Sequence, residues 1–125
     1  MDNRRKEMRK KVMAFTPVRD SGRGALLGYL ANLTLQGAMV VGEKPLEIDS
    51  QISLGIDLPG DLPGISSRRM IIPARVARCV ADTESSREFG IGFEFVEITP
   101  DHAQIVEALL DRYHFRHREW AKKEE

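Results

Sequence analysis

The sequence predicts an all-β fold with one terminal helix: a six-stranded antiparallel barrel entered through a flexible N-terminal arm. Three observations carry that expectation. Apolar residues recur with a period of two in several short stretches. Turns rich in glycine, proline and small polar residues separate these stretches. After Thr99 the apolar spacing changes to that of a helix. Short antiparallel strands of this kind close most readily into a barrel, with one apolar face per strand filling the interior. The chain has 125 residues, which suits one domain with a modest core.

Residues 1–11 are too polar to pack and are expected to form a mobile arm. Arg4, Arg5, Lys6, Arg9, Lys10 and Lys11 are opposed there only by Asp2 and Glu7, so the arm is cationic. The barrel is expected over residues 12–98. Val12-Met13-Ala14-Phe15-Thr16 opens a first strand that runs to Asp20, and Ser21-Gly22-Arg23-Gly24 turns the chain. Residues 25–33 return as its hairpin partner. Residues 37–41 form a short third strand, stopped by Gly42.

In residues 51–58, Ile52, Leu54, Ile56 and Leu58 point one way, and Gln51, Ser53, Gly55 and Asp57 the other. Residues 59–64 cannot continue a ladder, because Pro59 and Pro63 lack the amide donor. Residues 70–81 make a long strand with Met70, Ile72, Ala74, Val76 and Val80 on one face. Pro73 marks an edge position or a bulge in it. Residues 82–86 are a polar turn. Residues 88–96 follow, with Phe89, Ile91, Phe93 and Phe95 on one face. Gly90 and Gly92 lie opposite, where a neighbour approaches closely or the sheet bends.

The helix is expected over residues 99–120. Thr99 is the N-cap, Pro100 the first helical residue, and Asp101 complements the dipole. Ile98, Ile105, Leu109 and Tyr113, with Val106 and Leu110 beside them, form its apolar stripe.

Composition excludes several classes of function. Lysine plus arginine equals aspartate plus glutamate, 19 against 19, which argues against binding DNA or RNA and against a membrane-surface role. No strand carries an aromatic stacking set for single-stranded nucleic acid. No apolar stretch is long enough to span a bilayer, and the charged N-terminus does not read as a secretory signal. A cytoplasmic protein is expected.

Cys79 is the only cysteine, so no internal disulfide forms, and it reads as a small core or half-buried residue. His114 and His117 have a spacing that can bind metal, but with no acid or cysteine partner they read as a solvated helix face, and so does His102. No metal or cofactor is expected. Ser66-Ser67 and Ser85-Ser86 read as turns, and Asp57 and Asp61 flank a turn without a catalytic reason. With no Gly-x-Ser-x-Gly elbow and no Walker-type loop, no enzyme activity is expected.

Two segments carry binding chemistry. Arg5-Lys6-Glu7-Met8-Arg9 sets two arginines four apart, with Arg4 just before. Guanidinium is planar, always charged and a bidentate donor, so it suits phosphate oxygens, the O6/N7 edge of guanine and the face of a base. The alternative is a solvated basic tail. The second segment is Asn32-Leu33-Thr34-Leu35-Gln36-Gly37, where one strand ends and the next begins. Asn32 and Thr34 lie two apart and share a face on extended backbone. Gly37 permits a positive φ or a close backbone approach. The alternative here is an ordinary connection, with Asn32 and Thr34 bonded to their own backbone.

An RxxxR arm followed after a hairpin by [DN]x[ST]xxG resembles the PilZ domain family. The strand pattern, the Gly90-Ile91-Gly92-Phe93 run and the terminal helix resemble it too, so the likeness covers nearly the whole chain. The resemblance implies a PilZ-like barrel that binds cyclic di-GMP and signals to a separate protein partner, as yet unidentified. It implies that Arg5 and Arg9 clamp the phosphates and guanine edges. Asn32 bonds a guanine or steadies the arginines, Thr34 supplies the hydroxyl, and Gly37 keeps the turn tight. Arg4 goes with binding of two mutually stacked ligand molecules. The commoner residue at position 34 is serine; threonine keeps the hydroxyl but adds a methyl and restricts χ1. Asn32, in place of an aspartate, keeps an acceptor but loses an ionic partner for arginine. The regulated process is motility, exopolysaccharide export or pili. The alternative is a PilZ-like protein-interaction adaptor that binds no nucleotide, with Phe115 and Trp120 at its contact surface.

Overall fold

Alternation along each strand gives the molecule an inner and an outer surface, and pairing closes that surface on itself. The computed structural model describes residues 16–82 and 87–124, with side chains as far as Arg112. The elements are β1 (Pro17–Asp20), β2 (Ala25–Leu33), β3 (Gly37–Gly42), β4 (Gln51–Asp57), β5 (Arg69–Ala81), β6 (Phe89–Phe95) and α1 (Pro100–Glu124). The strands form a closed barrel in the order β1-β2-β3-β6-β5-β4, with β4 returning to β1 and every pair antiparallel. Closure removes the exposed edges through which sheets aggregate.

The interior is filled from every strand. Val18, Leu30, Val40, Leu54, Ile56, Ile72, Val76 and Ile91 are fully buried, and Phe93 and Phe95 nearly so. The expected inner faces of β4 and β6 hold, although β4 ends at Asp57 and Leu58 lies just beyond it. β3 includes Gly42 rather than stopping before it. The β-favouring run at residues 12–15 lies outside the described residues, as does the expected turn at 83–86.

The inner face expected for β5 holds at Met70, Ile72, Ala74 and Val76, then fails at Val80, which is 49% exposed. A register shift between Val76 and Arg78 is the reason. An extra residue opposite β6 inverts the alternation beyond it. Cys79 takes the inward position instead, half-buried, and its sulfur accepts the Leu46 N–H at 3.4 Å. A second shift lies between Leu30 and Asn32 on β2. Pro73 sits one step past the last β5–β6 pair, Ala74↔Phe95, and its carbonyl accepts Val96 N–H at 3.0 Å. Its missing amide hydrogen therefore faces the place where β6 has ended.

Two glycines make the tight pairing of β2, β3 and β6 possible. A Cβ on Gly28 would lie 2.1 Å from the Val41 carbonyl oxygen, and Gly28 also has φ +156°. A Cβ on Gly37 would lie 2.1 Å from the Phe93 carbonyl oxygen.

Because all neighbours are antiparallel, one rim of the barrel collects the chain's entry into β1, the β2–β3 turn, the β4–β5 loop and the exit of β6 into α1. The helix caps this rim. Val106 and Leu109 are fully buried there with Leu62 of the β4–β5 loop, while Ile105, Ala108 and Leu110 are half-buried. Ile98 does not join the stripe and is 37% exposed, because it precedes the N-cap and so lies off the helical period. Tyr113, His114, Phe115, His117 and Trp120 have side chains outside the described residues.

Thr99 caps α1 as expected: its Oγ1 accepts His102 N–H at 3.2 Å. His102 is not a freely solvated helix residue. Its Nδ1 accepts Thr99 N–H at 3.1 Å, completing a reciprocal cap. Its Nε2 lies 2.9 Å from the Ile71 carbonyl oxygen. With Nδ1 an acceptor, Nε2 carries the proton and donates, tying the helix start to β5. Arg112 pairs with Asp61 and ties α1 to the β4–β5 loop.

Gly28→Ala should destabilise the barrel by about 2 kcal/mol or more, because the methyl meets backbone that cannot yield. Leu109→Ala should cost about 2–5 kcal/mol by emptying the helix–barrel contact. Urea unfolding of each variant against the parent measures both.

Candidate functional site

The β2–β3 turn brings Asn32, Thr34 and Gly37 together on the helix-capped rim. Thr34 organises the turn from within. Its Oγ1 accepts Gln36 N–H at 3.1 Å and Gly37 N–H at 3.2 Å, and its own N–H donates to the Gly37 carbonyl at 2.9 Å. Asn32 Oδ1 accepts Leu33 N–H at 2.9 Å. Both side chains thus use an oxygen on local backbone, as the ordinary-connection reading expected. Both residues remain exposed, and the Asn32 carboxamide keeps its NH₂ donors for another partner.

Gly37 contributes by close approach, not by a positive φ. The main chain of the turn is laid against β6: Gly37 pairs with Glu94, and the Gln36 carbonyl accepts Phe95 N–H at 2.9 Å. The result is an open depression of about 290 Å³ lined by Asn32, Leu33, Thr34, Gln36, Gly37, Ala38, Met39, Phe93 and Glu94.

Charge beside the depression is arranged in pairs. Arg75 on β5 donates from Nη1 to Asp49 at 2.6 Å and from Nη2 to Glu94. These bonds, Glu94 first and Asp49 second, hold the Arg75 guanidinium above its ordinary pKa. Glu94 therefore meets the depression as half of an ion pair. On the wall away from the turn, Asp57 lies between Arg69 at 2.9 Å and Arg19 at 3.7 Å. The acids read from sequence as turn residues, Asp57 and Asp61, serve as arginine partners.

Arg4, Arg5 and Arg9 lie outside the described residues. The chain that carries them nevertheless enters at a fixed point. The Thr16 carbonyl accepts Leu30 N–H at 2.8 Å, Thr16 is 5% exposed, and Pro17 pairs with Tyr29. Leu30 is two positions before Asn32 on the strand leading to the turn.

Sequence reasoning missed Met39, Glu94 and Arg75 as neighbours of the turn. Met39 is set opposite Asn32 by the β2–β3 register, whereas Glu94 and Arg75 arrive through the pairing of β3 with the non-consecutive β6 and of β6 with β5. The glycines Gly90 and Gly92 were the available signal that the outer face of β6 is bare. The nearest atoms above them are Met39 Sδ for Gly90 and the Arg78 side chain for Gly92.

Among the described residues no group of His, Cys, Asp and Glu side chains is arranged to hold a metal ion. No helix there is long and apolar enough to cross a membrane.

The fold is that of a six-stranded signalling barrel with a capping helix, the architecture of receptor and adaptor domains. Residues 3–113 match the PilZ domain family, and the chain belongs to it. Its fold is similar to the PilZ domain with c-di-GMP of YcgR from Escherichia coli, with a TM-score of 0.61 and 15% identity over 86% of this chain and 88% of that one. It is also similar to the Bacillus subtilis inhibitor of motility, MotI/DgrA, with a TM-score of 0.56 and 20% identity over 78% of this chain. The match spans 45% of the length of that protein. At these identities the likeness concerns the fold. No curated protein matches the chain.

Thr34→Val keeps the shape of the side chain but removes the acceptor for two amides. It should destabilise the domain by about 1 kcal/mol, whereas Thr34→Ser should leave stability within about 0.5 kcal/mol, as read by urea unfolding.

Proposed function

We propose that this chain is a cyclic di-GMP receptor that changes conformation on binding and regulates a separate protein. In this reading Arg4, Arg5 and Arg9 close over the ligand from the arm at residues 1–11, and Asn32, Thr34 and Gly37 receive it on the barrel. The carrying observation is the entry point of the chain: Thr16 is hydrogen-bonded to Leu30, on the strand that leads to Asn32. From Thr16, an extended chain reaches back to Arg9 over at most about 25 Å, which spans the β2–β3 turn comfortably.

The form of the depression supports the same reading. It is open, and a ligand site normally encloses most of its ligand. A second wall is needed, and a cationic segment attached at the same rim supplies one with the chemistry a dinucleotide requires. Family membership and the fold shared with a PilZ domain holding c-di-GMP support the ligand class. The likeness to an inhibitor of motility supports motility among the processes regulated, beside exopolysaccharide export and pili. A cytoplasmic site of action fits a diffusible nucleotide signal.

The switch works by population shift. Ligand moves the equilibrium only insofar as it binds the arm-closed state better than the open one. The arginines provide that difference, since they meet the ligand only when the arm is closed. A second reading, an adaptor that binds no nucleotide, is favoured by one observation: the Asn32 and Thr34 oxygens already serve their own backbone.

Calorimetric titration with cyclic di-GMP decides between them. The parent chain should bind, and Arg5→Ala or Arg9→Ala should lose most of the affinity while unfolding at the parent's temperature. Absence of both binding heat and amide NMR shifts at high micromolar ligand would favour the nucleotide-independent adaptor.

A further inference from the structure

We propose that Arg78 is a further ligand-binding residue: a cation carried on the outer wall of the barrel that contacts the dinucleotide from β5. The proposal rests on reading the chain as a cyclic di-GMP receptor.

Four strands set Arg78 and Asn32 in one row. Asn32 on β2 pairs with Met39 on β3, Met39 with Gly92 on β6, and Gly92 with Arg78 on β5. Residues directly opposite one another share a face of the sheet. Asn32 and Arg78 are exposed and Met39 half-buried, so the face is the outer one.

Two of the barrel's three register shifts lie at the ends of this row, and the third falls between Val18 and Arg19 on β1. Strict alternation from buried Leu30 would turn Asn32 inward, and strict alternation from buried Val76 would turn Arg78 inward. The shift between Leu30 and Asn32 turns the first out, and the shift between Val76 and Arg78 turns the second out. Bulges recur where a fold must re-aim a side chain next to a site. Here two of them deliver a carboxamide and a guanidinium to opposite ends of one strip.

The strip between is kept low, and Arg78 leans over it. A Cβ on Gly92 would lie 3.5, 3.8 and 3.9 Å from Cβ, Cγ and Cδ of Arg78. A side chain standing straight off β5 would draw away from β6 with each atom. This one stays level, so its stem lies over Gly92 of β6. Neighbouring strands are about 4.8 Å apart, so the row from Arg78 to Asn32 spans on the order of 14 Å.

The charge of Arg78 is not used within the barrel. Arg19, Arg69 and Arg75 on the strand walls each meet a carboxylate. The Arg78 side chain has no hydrogen bond or ion pair among the described residues. Glu94, two residues along β6 from Gly92, is held by Arg75. Among the described residues the strip therefore offers an unpaired guanidinium, suited to a phosphate or to the O6/N7 edge of guanine.

The test is calorimetric titration of the full chain with cyclic di-GMP. Arg78→Met keeps the stem on Gly92 and removes the charge. Its dissociation constant should rise about tenfold or more, with the unfolding midpoint within about 2 °C of the parent. Arg23→Met, which removes a charge on the opposite rim, should leave affinity unchanged. In the parent, the Arg78 Nε–Hε resonance should shift on saturation with ligand, a readout that needs no substitution. Equal affinity in Arg78→Met and parent, an equal loss in Arg23→Met, or an unmoved Arg78 resonance would overturn the role of Arg78 and leave the receptor reading intact. A parent chain that binds nothing would overturn both.

Discussion

Between the α-carbon of Gly37 and the carbonyl oxygen of Phe93 there is no room for a methyl group. That contact governs much of what surrounds it. It sets β3 hard against β6, and Gly28 together with Gly42 sets its other flank hard against β2. Drawn in on both sides, a six-residue strand closes the barrel where a looser one would leave a gap. The same contact lays the β2–β3 turn on the end of β6, so that a turn from one hairpin acquires Glu94 as neighbour and Arg75 behind it. Most loops on a protein surface are mobile; this one is pinned through Gln36, Gly37 and the Thr34 hydroxyl.

Much of the architecture was legible in the sequence because burial has a period. Leu54 with Ile56, and Ile91 with Phe93, fall inward as their spacing requires. Thr99-Pro100-Asp101 begins the helix where cap chemistry says it should. What was not legible has one physical source: period is local, but bulges and non-consecutive pairings are not. Val80 reads as a core residue until β6 is laid beside it and a residue is found in excess. His102 reads as a solvated helix residue because nothing local reveals that Ile71 presents a carbonyl to it. The candidate site divides in the same way. Asn32, Thr34 and Gly37 announce a special turn through their types and spacing, while Glu94 and Arg75 become its neighbours only through the barrel.

The ion pairs orient more than they stabilise. Arg75 with Glu94 and Asp49, and Arg69 with Asp57, involve partly exposed side chains, and such solvent-screened pairs contribute little to stability. Stability comes from the apolar interior and from Val106 and Leu109 pressed onto Leu62. What the pairs do is fix where charge stands. Asp49 is held at φ +74°, a conformation that aspartate tolerates better than most side chains, with its N–H on the Val76 carbonyl at 2.7 Å. The bulge in β5 is thereby gripped from two sides, by β6 and by the segment before β4.

The two rims of the barrel carry unequal duties. One holds the entry of the chain, the β2–β3 turn, the β4–β5 loop and the helix. Among the described residues, the other holds the β1–β2 turn and the β3–β4 segment, which reverse the chain and return it. Length can therefore change at the second rim without reaching the first, since a strand's register is fixed by its neighbours along its whole run rather than by the turn alone. In mechanical terms the fold separates a deck, which holds the β2–β3 turn and the helix, from a keel whose turns can lengthen or change charge while the deck keeps its shape.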